Sequence, residues 1–318
     1  MKKPLIVLTG PTAVGKTKLS IALAKAVNGE IISADSMQVY RHMDIGSAKI
    51  TPEEMDGVPH HLVDVLEPTE DFNIVLFQQM AKDAMDKIYD KGRIPILVGG
   101  TGFYIQSVTR DIDFTSSDQD EHYRRELEEL AEQKGPAFLH DMLAKVDPKS
   151  AEDIHENNVK RVIRALEFYK QNGTRISEHN EEQKEHTSPY ALAYFVLNAP
   201  RPLLYERIDT RVDEMLKNGL TEEVKKASGR WAATGGMVSM QGLGYKEILD
   251  WMDGNYSYEE AVRVLKRDTR HFAKRQLTWF RREGEVTWVD KDNFDYDDSR
   301  ILSYMLSVCR EKGILPAK

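Results

Sequence analysis

The chain has 318 residues, 41% of them hydrophobic, with 44 Lys and Arg against 52 Asp and Glu and a formal net charge of −8. That length makes one large domain or two, with enough apolar material for a core, and no run of about 18 apolar residues offers a membrane span. The acidic balance excludes a chain that is basic throughout, so a nucleic-acid partner would have to meet cations gathered locally. The single cysteine, Cys309, excludes an internal disulfide and suits a reducing compartment. Its amphipathic surroundings read as packing. Met1-Lys2-Lys3-Pro4 leads straight into an apolar run, which leaves no room for a signal peptide, so a cytoplasmic protein is expected.

Leu5-Ile6-Val7-Leu8-Thr9 reads as a buried parallel strand. Gly10-Pro11-Thr12-Ala13-Val14-Gly15-Lys16-Thr17 follows and fits G-x-x-x-x-G-K-[ST], a phosphate loop of the nucleotide- and ATP-binding kind. Leu19, Ile21, Leu23, Ala26 and Val27 then give an apolar face at helical spacing. Strand, loop and helix are the context in which backbone N–H groups close on an anion at a helix N-terminus. Lys16 adds a point charge, and Thr17 offers a hydroxyl to Mg²⁺. A second strand, Glu30–Ala34, delivers Asp35-Ser36-Met37-Gln38 at its end, where open α/β sheets bind ligands. At this stage Asp35 is equally a helix cap or a group for chemistry.

Residues 43–52 read as loop, and Pro59-His60-His61 precedes a short strand over Leu62–Val65. Adjacent strand histidines point to opposite faces, which argues against metal chelation. Asn73–Tyr89 is an amphipathic helix stopped by Gly92, and Ile94–Val98 is another buried strand, ending in Gly99-Gly100-Thr101-Gly102. No aspartate ends that strand, so the metal ligand of a routine ATPase is missing there. From about Phe114 to Tyr190 the chain turns charged and helical. Helices are expected at Glu121–Gln133, Pro136–Lys145, Lys149–His155 and Val159–Gln171, followed by a polar stretch. Lys160, Arg161 and Arg164 share a helix face there, which by spacing alone is a solvated surface. Leu192–Leu197 returns to strand. Arg201–Leu216 is a helix whose Arg207 and Arg211 either face one anion together or form surface ion pairs. Residues 240–247 form a glycine-broken turn entering a helix. Ser257-Tyr258-Glu259-Glu260 reads as a capping box for a long helix to about Glu283. Along it Arg263, Arg267, Arg270, Lys274 and Arg281 make one stripe, either a track for phosphates or a solvent face with acidic partners. Val286–Val289 reads as a last strand, and Arg300–Arg310 as a last helix.

Seven blocks in order, spanning nearly the whole chain, resemble the tRNA isopentenyltransferase family, the tRNA dimethylallyltransferases. They are residues 10–17, 34–40, 43–49, 99–105, 160–167 (Lys-Arg-Val-Ile-Arg-Ala-Leu-Glu), 241–247 (Gln-Gly-Leu-Gly-Tyr-Lys-Glu) and 274–281 (Lys-Arg-Gln-Leu-Thr-Trp-Phe-Arg). Ser47 and His155-Glu156 depart from the family's usual Thr and His-Pro. The resemblance implies a P-loop NTPase-like α/β core with a parallel sheet and helices on both faces, formed by residues 1–113 and 191–318. It implies a helical insertion domain at 114–190 that contacts a tRNA anticodon stem-loop. The implied reaction moves the prenyl group of dimethylallyl diphosphate to N6 of adenosine 37 in tRNAs reading codons that start with U. Gly10–Thr17 then hold the diphosphate, with Thr17 on Mg²⁺, Thr12 near the bridging region and Lys16 and Arg211 stabilising the leaving charge. Asp35 is the implied general base. Asp35, Ser36, Met37, Gln38 and Thr101 are implied to grip the extruded adenosine, and Arg124, Lys160, Arg161, Arg164, Gly244, Lys246 and Lys274 to meet the RNA. A monomer is expected, with no membrane partner. An adenylate isopentenyltransferase acting on free AMP, ADP or ATP, or a P-loop kinase, are the rival readings.

Overall fold

The computed structural model describes residues 2–114, 121–231 and 237–316, and the chain divides into two compact units, Met1–Thr109 with Ser188–Lys318, and Arg110–Thr187. The first unit is built on six parallel strands in the order β3-β2-β4-β1-β5-β6. They are β1 (Pro4–Thr9), β2 (Gly29–Ala34), β3 (His60–His61), β4 (Ile94–Gly99), β5 (Ala191–Asn198) and β6 (Thr287–Asp290). The pleat sends alternate residues to opposite faces. Leu5 and Val7 enter one apolar layer with α3 (Ile74–Asp90) and α4 (Gly102–Thr109). Ile6 and Leu8 enter the other with α1 (Lys16–Val27) and α14 (Asp298–Glu311). Both faces are therefore covered, which is why these strands read as unbroken apolar runs. Cys309 belongs to the second layer, and burial pushes its thiol up to about 12.

The register decides where ligands can sit. Thr9 and Ala34 both pair with Gly99, so the segments leaving β1, β2 and β4 emerge side by side at the carboxyl edge of the sheet. The remaining helices of this unit are α2 (Pro52–Met55), α10 (Arg201–Lys217), α11 (Leu220–Trp231), α12 (Tyr245–Met252) and α13 (Tyr258–Phe280).

The second unit packs α5 (Glu121–Lys134), α6 (Pro136–Val146), α7 (Pro148–Asp153), α8 (Val159–Asn172) and α9 (Ile176–Glu185) around Leu127, Leu139, Leu143, Val162, Ile163 and Leu166. One buried carboxylate, Asp147, serves two helix N-termini. It accepts from the backbone N–H and hydroxyl of Ser150 in α7 and from those of Ser177 in α9.

Several expectations are corrected. Residues 62–65 are not a strand, because Leu62 and Asp64 take φ of +62° and +55°, which no extended strand tolerates. Pro52, read as loop, instead opens α2 behind a capping box from Thr51. The polar stretch after residue 171 contains α9, and α11 has no counterpart among the expected helices. The expected capping box of α13 is half made: Ser257 accepts from the Glu260 N–H, while the Glu260 carboxylate pairs with Arg263.

Candidate active site

The phosphate loop turns at Gly10, whose φ is +144° and where a Cβ would come within 2.5 Å of the Leu197 carbonyl oxygen. It turns again at Gly15, φ +93°, which precedes α1. Both positions need glycine. Lys16 leads the helix and donates from Nζ to the Gly10 and Pro11 carbonyls, at 3.0 and 2.9 Å. Burial, then the Arg211 guanidinium, depress its ammonium to about 8, against the opposing pull of Asp35. Arg211, on α10, reaches the Thr12 hydroxyl at 3.5 Å and is itself lowered by burial, with Glu214, Asp35 and Glu54 opposing. Two cations and a carboxylate thus act on one another beside the phosphate loop. Thr17 is exposed, and its hydroxyl has no protein partner among the described residues.

Asp35 caps no helix; it holds a turn, and one of its oxygens stays free. Its Oδ1 accepts from the N–H groups of Met37 and Gln38, at 2.8 and 3.4 Å, which fixes the turn after β2. Its Oδ2 has no hydrogen-bond partner among the described residues. Thr101, on the neighbouring turn, donates its N–H to the Ala34 carbonyl, one residue before Asp35. Gln38 is spent on the fold: its amide donates to the Ser47 and Ala48 carbonyls. Met37 lies against Gly242, and Ser36 is half-buried beside it in the same turn. Gly244 caps α12, its N–H donating to Glu247. Lys246 pairs with Glu247 and Asp268.

The expected basic stripe on α13 divides in two. Arg263, Arg267 and Arg270 pair with Glu260, Asp268 and Asp209, the last reaching across from α10. Beyond them His271, Lys274, Arg275, Thr278, Trp279 and Arg282 line a groove of about 330 Å³. Lys274 has no acidic partner among the described residues. Arg207 lies over the Tyr296 ring, so only Arg211 of that pair reaches the loop. His60 hydrogen-bonds the Val58 carbonyl, and His61 joins Lys91 and Arg93 on buried Glu30. No group of three His, Cys, Asp or Glu among the described residues could hold a metal ion.

In the helical unit Arg124 makes a two-pronged pair with Glu167, both bonds 2.8 Å, and so ties α5 to α8. Lys160, Arg161 and Arg164 are exposed on α8 without acidic partners among the described residues.

Comparison with known proteins decides the lineage. The family described as IPP transferase matches residues 38–283, and that described as isopentenyl transferase matches residues 3–64. A tRNA dimethylallyltransferase of Lachnoclostridium phytofermentans is 61% identical over 98% of this chain and 99% of its own. The chain belongs to the tRNA dimethylallyltransferase family. A second member, from Halalkalibacterium halodurans, is 50% identical over 93% of this chain and 94% of its own. The crystal structure of full-length tRNA isopentenylpyrophosphate transferase from Bacillus halodurans superposes with a TM-score of 0.74 at 48% identity, covering 98% of both chains. A eukaryotic dimethylallyltransferase acting on tRNA gives 0.77 at 32% identity, over 91% of this chain and 74% of its own. As a dimethylallyltransferase the chain is a prenyl transferase, and its P-loop-like sheet is that of the family.

Three side chains at this site carried no signal on their own. Gln276 of α13 accepts from the Thr12 N–H at 2.9 Å and donates to the Gly100 carbonyl at 3.0 Å. Glu223 of α11 accepts from the N–H groups of Asp44, Ile45 and Gly46 and from the Tyr245 hydroxyl. Buried Lys291, paired with Asp298, lies 3.2 Å from where a Gly15 Cβ would stand. The Gln276 and Glu223 bonds and the approach of Lys291 to Gly15 join residues far apart in sequence, beyond any local pattern.

Proposed function

We propose that the chain transfers the dimethylallyl group of dimethylallyl diphosphate to N6 of adenosine 37 in tRNAs that read codons starting with U. The products are N6-(dimethylallyl)adenosine and diphosphate. The observation that carries this reading is the mutual placement of Lys16, Arg211 and Asp35 around the phosphate loop. The bond between C1 of the prenyl group and its oxygen breaks, and the electron pair leaves with the diphosphate. Backbone N–H groups of the loop, Lys16 and Arg211 meet that growing charge, each such donor being worth about 10²–10³ in rate. The N6–C1 bond forms as Asp35 takes the N6 proton on Oδ2, since an amine conjugated to a purine ring needs its proton removed. The adenosine leaves its stack to arrive there, at a cost of a few kcal/mol. The exposed cations of α8 and the groove around Lys274 suit RNA phosphates.

The hydroxyl of Thr17, exposed and without a protein partner among the described residues, fits a hard cation that leans mainly on phosphate oxygens. Thr17 would hold Mg²⁺, which neutralises charge on the diphosphate. Incubating the protein with labelled dimethylallyl diphosphate and an anticodon stem-loop bearing A-A-A at the target tests the reading. Transfer to the stem-loop at the 37 position is expected. Transfer to free AMP in preference, or ATP turnover without an acceptor, overturns it.

A further inference from the structure

Gln276 is 6% exposed and stands between cationic Lys274 and Arg275 on one side and Leu277 on the other. A buried primary amide must find partners for both ends. Here the partners lie on two different loops. Oε1 accepts from the N–H of Thr12 in the phosphate loop, and Nε2 donates to the carbonyl of Gly100 in the turn after β4. The orientation of the amide is fixed by these partners, because an N–H can only donate and a carbonyl can only accept. The site is shaped around it: a Cβ on Gly100 would fall 2.1 Å from Nε2, so residue 100 has no room for a side chain.

Each loop leads on to a reacting group. Thr12 touches Arg211 through its hydroxyl, on the side of the leaving diphosphate. Thr101, next to Gly100, holds the Ala34 carbonyl by its N–H, and Asp35 follows directly. Lower down, Thr9 ties the ends of β1 and β4 through its hydroxyl bond to Gly99. Gln276 repeats that tie one layer higher, where the strands have ended and the loops would otherwise be free to separate. We propose that Gln276 is a positioning residue for prenyl transfer: its amide sets the distance between the phosphate loop and the turn beside Asp35, and so between the leaving group and the attacking amine. The inference rests on the transfer reading above. It concerns geometry in the transition state, and a misplacement of about 1 Å there costs on the order of 10²-fold in rate.

The test is a double-mutant cycle on Q276M, which keeps length and bulk but loses both hydrogen bonds, and G100A, which displaces the amide from the opposite side. Single-turnover transfer at saturating donor and stem-loop, stem-loop Kd and Tm are measured for each. The expected result is a loss of about 10–100-fold in the single-turnover rate for either variant. Stem-loop Kd stays within about threefold of wild type, and the double variant is no slower than the slower single one, because both act on one contact. A rate for Q276M within about threefold of wild type overturns the proposal. So do losses that multiply in the double variant, or a fall in Tm and stem-loop affinity that tracks the rate and marks Gln276 as packing alone. If the wild-type protein itself transfers nothing, the transfer reading falls and takes this inference with it; transfer by wild type with an unaffected Q276M removes the inference alone.

Discussion

Lys16 gives the sharpest quantitative expectation. Its ammonium is held at about 8, from an ordinary 10.5, first by burial and then by Arg211. Only the charged form attracts a diphosphate, so donor affinity should be full at pH 7 and fall as the lysine loses its proton. If the neutral form contributes nothing, the apparent Kd scales as one plus the ratio of neutral to charged lysine. Between pH 7 and pH 9 that is an increase of about tenfold, or about 1.4 kcal/mol. The donor's own phosphate protons are already lost in this range, with a last ionisation near about 6, so they do not mimic the effect. Calorimetric titration of dimethylallyl diphosphate in buffers of different ionisation enthalpy should also find about 0.9 proton taken up per donor bound at pH 9.

The neighbours of Lys16 supply internal controls. Arg211→Gln removes a repelling charge and should move the break in the profile upward. Asp35→Asn removes an attracting one and should move it downward. Lys16→Gln should bind the donor weakly and without a break. A Kd that is constant from pH 7 to 9.5, or one that rises equally in Lys16→Gln, would refute the assignment of this lysine to the donor.

Asp35→Asn should lose at least about 10²-fold in transfer rate while still binding the stem-loop; near-normal turnover removes Asp35 from the chemistry. Glu223→Ala strips three backbone N–H groups and the Tyr245 hydroxyl of their acceptor. Water can replace part of this at a half-exposed site, so Tm should fall by roughly 5–10 °C, and a shift below about one degree in a thermal melt, about a quarter of a kcal/mol, would show that the loop holds itself. Asp147→Asn keeps one acceptor oxygen but sets an NH₂ against the Ser177 N–H, at a cost of about 1–3 kcal/mol, read by urea unfolding. The hydrogen bonds of Ser177 and Ser150 overcome burial and hold the Asp147 carboxyl below its ordinary 3.8. Its folded pKa is thus depressed, so its contribution is complete above that ordinary value and is lost as pH falls through the folded one. A variant whose deficit stays constant through that acid range would contradict this. Replacing Lys160, Arg161 and Arg164 together by Gln should reduce the slope of log stem-loop affinity on log salt by roughly 0.7–0.9 for each phosphate these cations neutralise; an unchanged slope removes α8 from the RNA surface.

The sheet and the phosphate loop were legible because burial on both faces leaves strands with no polar alternation, and the loop's glycines recur at a spacing confined to eight residues of sequence. The turn at Asp35 was legible for a related reason: parallel strands must end together, so the loops that leave them converge. The misses are of a different kind. Over the described side chains of α11, at residues 220–229, only Leu220, Val224 and Ala227 are apolar and buried, a thin stripe among lysines and glutamates. In α9 the start is secured by Asp147, thirty residues before Ser177, so its own sequence has little to declare. The false strand at 62–65 had the right composition, but Leu62 and Asp64 lie in left-handed backbone where their N–H groups leave the sheet direction; Asp64 and Val65 donate instead to Gln38 and Val39.

The same distinction settles how an acidic chain can present a basic surface. A cation on a helix is legible; the acid that neutralises it is often on another helix. Asp209 and Asp213, on α10, meet Arg270 and Lys266 on α13, so Arg270 of the apparent phosphate track is part of the packing between two helices, while Arg263 and Arg267 pair with acids of α13 itself. Arg124 is likewise consumed by Glu167 within the helical unit. The net charge of −8 counts all these paired acids, yet a partner feels chiefly the charges that are left unpaired, since a close ion pair appears at a distance as a dipole screened within about 10 Å at ordinary salt. Among the described residues, subtracting the pairs leaves Lys160, Arg161 and Arg164 together on the exposed side of α8, and Lys274 with Arg275 and Arg282 around one groove, each a compact cationic patch on a chain whose average would repel RNA.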